Sequence, residues 1–85
     1  MEYLISFSSF YKAAYAEEKL YENGINSSMR KLPQELLNSC STGLYIRTES
    51  IERVQQVLES AEIYPRGIYR MDRDEKGAKK LFRLA

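Results

Sequence analysis

One cysteine, Cys40, stands in the segment Lys31-Leu-Pro-Gln-Glu-Leu-Leu-Asn-Ser-Cys-Ser-Thr-Gly-Leu-Tyr-Ile-Arg47. A thiolate is strongly nucleophilic without a separate activating base. The neighbours Ser39, Ser41 and Thr42 are small and polar, and Gly43 precedes an apolar run. This composition describes a loop or a strand entrance, where a partner can reach the sulfur. Exchange chemistry needs only a nucleophile and access, so a lone exposed thiol suffices to accept and hand on a sulfur or selenium atom. Backbone N–H groups around Gly43 are suited to stabilise the thiolate, as turn amides bind anions. The nearest cations in sequence are Lys31 and Arg47, so strong activation has to come through the fold. The competing reading is that Cys40 is a small buried hydrophobe, the commonest state of a free cysteine.

Other chemistry is hard to assemble. The chain has no histidine, which removes the commonest general base and metal ligand. One cysteine without histidine does not make a usual zinc site. The four glycines are too scattered for a phosphate loop. Acidic neighbours such as Glu17 and Glu18 fit a solvated helix surface. No metal, no cofactor and no complete stand-alone active site are expected; any chemistry falls to Cys40, with a partner supplying the rest.

The elements that must position this segment follow from pattern. Residues 2–7 read as a strand rich in aromatic and branched side chains. Ser8 and Ser9 can cap a helix, and Phe10, Ala13, Ala16 and Leu20 recur at helical spacing. Asn23-Gly24 ends it. Ile25, Ser27, Met29 and Lys31 suggest a short edge strand. Pro33 to Leu37 fits one helical turn with proline first. Residues 44–48 form a third strand, with Leu44 and Ile46 on one face and Tyr45 and Arg47 on the other. Ser50 caps a second helix whose stripe is Ile51, Val54, Val57, Leu58 and Ala61. A turn at 64–67 leads into a fourth strand, residues 67–71.

This order is a doubled βαβ pattern. It predicts an α+β, ferredoxin-like βαββαβ sandwich: a four-stranded antiparallel sheet with helices near 9–23 and 50–61 on one face. Residues 1–72 are the expected domain. Residues 73–85, charged first and then carrying Leu81, Phe82 and Leu84, read as a terminal extension, either a short helix or a tail.

Eighty-five residues bury enough surface to fold alone with little margin. Charged residues at 29% and a net charge of +1 suit a globular chain and give no bulk attraction to nucleic acid or acidic membranes. No apolar run is long enough to span a bilayer. The N-terminus has no signal-peptide pattern, and one cysteine cannot make an internal disulfide, so a cytoplasmic, reducing location is expected.

Several of these residues occur together in a known setting. They are the opening Tyr-Leu-Ile strand, the serine-capped helix rich in Ala and Glu, and Asn23-Gly24-Ile25 before a short strand. Leu32-Pro33-x-Glu35-Leu36, Ser39-Cys40 and the closing Gly67-Ile68-Tyr69-Arg70 complete the set. Over roughly residues 2 to 72 the chain resembles the bacterial family of small selenium/sulfur carrier-like proteins. The resemblance implies a cytoplasmic carrier, with Cys40 as the residue that matches the family's cysteine. Family members usually follow that cysteine directly with glycine, whereas Ser41 and Thr42 intervene here before Gly43.

Three uses remain. The first is a thiol carrier centred on Cys40, with Ser39, Ser41, Thr42, Gly43 and Tyr45 as surrounding binding residues and a sulfur- or selenium-transferring protein as partner. The second is a non-enzymatic binding or oligomerisation module, a homodimer through the open sheet face being one form. The third is single-stranded RNA binding through Tyr45 and Tyr69. The aromatic RNP consensus is absent and the net charge is near zero, so nucleic acid is the least expected partner.

Overall fold

The computed structural model describes residues 1–32 and 42–84. The elements in chain order are β1 (Glu2–Ser6), α1 (Phe10–Glu22), β2 (Ser28–Lys31), β3 (Thr42–Arg47), α2 (Ile51–Ser60), β4 (Gly67–Arg73) and β5 (Lys79–Arg83). The helical turn expected at Pro33 to Leu37 lies outside the described residues. All strands join one antiparallel sheet in the order β2-β3-β1-β4-β5.

The sheet has five strands where the sequence pattern predicts four. The fifth comes from the terminal segment, expected as a helix or a tail. Asp74 sets the reversal: its carboxylate accepts from the backbone N–H groups of Lys76 and Ala78, at 2.9 and 2.8 Å. Gly77 turns the chain at φ 82°, a conformation that costs glycine little. Lys79–Arg83 then runs back along β4, with Met71 opposite Leu81.

Both helices start on serine. The Ser9 hydroxyl accepts from the Lys12 N–H at 3.1 Å, and Ser50 serves Arg53 in the same way at 3.4 Å. Each cap satisfies one of the N–H groups that a helix start leaves without an internal partner. The Arg53 guanidinium also donates to the Asn23 carbonyl at 2.7 Å, tying the first turn of α2 to the end of α1.

Both helices also end alike. Ile25 N–H bonds to Leu20 C=O and Gly24 N–H to Tyr21 C=O; Ile63 N–H bonds to Leu58 C=O and Glu62 N–H to Glu59 C=O. This is the reversal with one left-handed residue past the helix end. Gly24 fills the left-handed position in the first half (φ 78°) and Glu62 in the second (φ 58°). The flanking Leu20 and Ile25, like Leu58 and Ile63, are buried. The two halves therefore share a structural device that their residue-by-residue comparison does not reveal.

The period-two alternation of the strands divides the apolar residues between two faces. Tyr3, Ile5, Leu44, Ile46 and Ile68 face the helices and pack with Phe7, Ala13, Ala16, Leu20, Val54 and Leu58. A separate, smaller cluster forms on the opposite face from Leu4, Leu32 and Met71, with Tyr45 and Leu81 packed against it. As the alternation predicts, Leu44 and Ile46 lie with the helices and Tyr45 does not.

Candidate functional site

Cys40, Ser39 and Ser41 lie outside the described residues. Thr42, Gly43 and Tyr45 are described, and all three belong to β3. Expected partly as loop, Thr42 and Gly43 instead begin the strand. Thr42 pairs with Lys31 and Gly43 with Arg30. Among the described residues, Lys31 opposite Thr42 is thus the last rung of the β2–β3 ladder. On its other side Gly43 pairs with Ser6, the last residue of β1, and α1 begins four residues on. The end of the sheet where residues 33–41 connect is therefore also the end from which the N-terminus of α1 starts.

Gly43 has a steric task here. A Cβ at this position would stand 2.5 Å from the Ile5 carbonyl oxygen and 2.6 Å from Leu32 Cδ2. Leu32 is buried on the face away from the helices. Glycine makes the room in which Leu32 lies down on the sheet, and Leu32 is the last described residue before the connection that carries Cys40.

Two rungs along, Tyr45 is half-buried and held from both sides. The Arg30 guanidinium lies 4.0 Å from the centre of its ring, a cation–π contact. Its hydroxyl donates a short hydrogen bond to Glu2 Oε1. Glu2 also pairs with Arg73, Nε to Oε2 at 3.7 Å. The Tyr45 hydroxyl holds the Glu2 carboxyl below the usual carboxylate range, helped by Arg73 and Arg47. The same bond, with the negative carboxylate beside it, raises the Tyr45 phenol above its ordinary value.

Tyr69 lies on the same face, since both tyrosines pair with Leu4 from opposite sides. Arg83 of β5 stands opposite Tyr69. It donates to the Tyr69 hydroxyl at 3.1 Å and to the Arg66 carbonyl at 2.7 Å. The expected separation of the tyrosines from the helix-packed core is thus met.

Glu2 and Arg30 are site neighbours that sequence reasoning missed; Lys31 is named there only as a neighbour of Cys40 in sequence, and Arg83 only as a basic residue of the terminal extension. A register signal existed for Arg30: alternation from Met29 places it on the face away from the helices. The placement of Arg83 opposite Tyr69 depends on β5. Among the described residues no helix is long and apolar enough to cross a membrane.

Comparison with known proteins agrees with the fold in its extent. The family model described as "Putative Se/S carrier protein-like" matches residues 2–70, from the start of β1 into β4. No curated protein and no solved structure matches the chain.

Proposed function

The chain belongs to the Se/S carrier-like family, and from that membership we propose that Cys40 is the atom-carrying group of a thiol carrier. A thiolate at Cys40 attacks the terminal sulfur of a persulfide on a donor protein. The donor thiolate leaves, and Cys40 holds the sulfur as its own persulfide. Attack by an acceptor's nucleophile on that terminal sulfur releases the Cys40 thiolate again, so no external oxidant or reductant enters. Selenium follows the same course as a selenosulfide.

The observation that carries this reading is the register at the β2–β3 end. Lys31 stands opposite Thr42 and Arg30 opposite Gly43, while in sequence the nearest cations are Arg47, seven residues after Cys40, and Lys31, nine before it. Cys40 is tethered two residues before Thr42, a span of at most about 7 Å. The fold thus supplies positive charge near the tether, and nearby cations favour a thiolate over a thiol. The start of α1 at the same end adds the positive pole of a helix. Ser39, Ser41, Thr42 and Gly43, which flank Cys40 in sequence, are the binding segment in this reading.

We read the architecture as a ferredoxin-like sandwich extended by β5. The β-α-β-β-α-β order of the first six elements and the β2-β3-β1-β4 strand order support that reading.

The test is intact-mass analysis of native protein before and after reduction, together with alkylation rates across pH. The expected results are a reducible mass of one sulfur or selenium on the wild type, and none on a folded Cys40→Ser variant. Lys31→Gln should shift the pH at which half the maximal alkylation rate is reached upward. Alkylation only after denaturation, with a large stability loss in Cys40→Ser, would make the cysteine structural and end the carrier reading.

A further inference from the structure

We propose that the sheet face turned away from the helices binds single-stranded nucleic acid. The near-neutral charge of the whole chain conceals how its charges are placed. Strand register puts Arg30, Arg47, Arg73, Lys79 and Arg83 on this face: Arg47 stands opposite Glu2, Lys79 opposite Arg73, and Arg83 opposite Tyr69. All five are exposed. Among the described strand residues Glu2 is the one carboxylate beside them, and it is occupied by Tyr45 and Arg73. With a net charge of +1 overall, the remainder of the chain is therefore net acidic, and α1 and α2 carry Glu17, Glu18, Glu22, Glu52 and Glu59 against Lys12, Lys19 and Arg53. The sheet separates the charges, and a polyanion approaching this face meets a positive field that the net charge does not report.

The type of polyanion follows from what lies among the cations. Tyr45 and Tyr69 stand two strands apart in one row, roughly 10 Å from each other at the usual strand spacing. Both are half-buried, and each has a guanidinium near its ring: Arg30 at 4.0 Å and Arg83 at 5.6 Å. Four of the five cations are arginines, whose planar heads bind phosphate in a fork and also stack on rings. Of the apolar residues of the face, Leu4, Leu32 and Met71 are buried and Leu81 is half-buried against them, so little apolar surface is open to the anchors that centre a protein interface. Cations tracking a backbone, interleaved with rings that accept any base, are the means by which proteins hold single strands. The proposal does not depend on the chemistry of Cys40.

The experiment is fluorescence anisotropy with a short labelled single-stranded RNA, repeated across salt concentrations. Single strands lose affinity with a log–log slope of about −0.7 per phosphate contact, so five contacts set a limit near −3.5. The double variant Arg47→Gln/Lys79→Gln should weaken binding about tenfold and flatten the slope by about 1.4. Lys12→Gln/Lys19→Gln makes the same change in net charge on α1 and should leave binding as it was. Tyr69→Leu should weaken it about fivefold or more with the slope unchanged, because stacking carries no counterion release. Cys40→Ser should bind like wild type, which separates this surface from the carrier chemistry. Lack of salt-dependent binding would overturn the proposal, and so would equal losses from the α1 pair. Equal affinity for duplex RNA would leave only shape-blind attraction to charge. Equal affinity for polyglutamate would assign the face to an acidic protein instead.

Discussion

Gly43→Ala asks whether the close packing at the entrance of β3 is what seats Leu32 on the sheet. The added methyl would meet the Ile5 carbonyl oxygen at 2.5 Å and Leu32 Cδ2 at 2.6 Å. Leu32 can swing, but Ile5 cannot follow without disturbing β1, which is paired on both sides. Overpacking of this kind costs about 1–3 kcal/mol. Against it stands a gain of about 0.4–1 kcal/mol, because alanine has less conformational freedom to lose on folding. The net expectation is a loss of about 1–2 kcal/mol. For a domain of this size that corresponds to a fall in Tm of about 5–15 °C. Urea denaturation monitored by circular dichroism reads it directly. Leu32→Val, which trims the flexible partner, supplies a second arm. In that background Gly43→Ala should cost less, yet still cost something, because the Ile5 oxygen remains. A Gly43→Ala protein as stable as wild type, or equal costs in both backgrounds, would refute the packing argument.

Val54, on the inner face of α2, is fully buried. Val54→Asp places an unpaired charge there and should cost about 3–5 kcal/mol, seen as loss of the cooperative thermal transition at room temperature or a strongly lowered midpoint. The Tyr45–Glu2 bond should give stability a pH dependence at both extremes. Glu2 has a lowered carboxyl pKa when folded, so its contribution is present above the ordinary glutamate range and lost as pH falls through the lowered value. Tyr45 has a raised phenol pKa, so its contribution is present below the ordinary tyrosine range and lost as pH rises through the raised value. Tyr45→Phe should flatten both limbs of the stability profile and return the Glu2 carboxyl, followed by NMR, toward the ordinary range; an unmoved Glu2 titration would show that the hydroxyl is not its main partner.

Much of this architecture is legible in the chain, for identifiable reasons. Ser9 and Ser50 act as the caps their types suggest, and Ile51, Val54 and Leu58 form the buried stripe that their spacing predicts. Leu44 and Ile46 sort to the helix side because a strand alternates and only one face is covered. The fifth strand escaped because Lys79-Lys80-Leu81-Phe82-Arg83 has no apolar alternation: Leu81 and Phe82 are adjacent and point to opposite faces. What specified it was the turn before it, where Asp74 and Gly77 are placed to reverse the chain. The start of β3 was misplaced for a related reason. Thr42 and Gly43 read as loop residues, yet Gly43 is in the strand because a larger side chain would not fit beside Ile5 and Leu32. The site was visible as residue types and not as an arrangement. Cys40 draws notice by itself, whereas the pairing of Arg30 with Gly43 and of Lys31 with Thr42 depends on a cross-strand register, and linear spacing does not carry that. The basic face needs the same register for five strands at once.

The two outer strands of the sheet also govern how this protein behaves beside copies of itself. An unpaired strand edge is a template onto which another chain can add, and proteins blunt such edges with shortness and positive charge. β2 has four residues and ends in Arg30 and Lys31; β5 begins with Lys79 and Lys80 and closes with Arg83. Two copies meeting along matching edges would set lysines and arginines against one another, so sheet-to-sheet growth is opposed at both margins. Crowding, overexpression or partial unfolding of one copy then has a poor route to fibre-like propagation through this sheet, and self-association has to be sought on its faces.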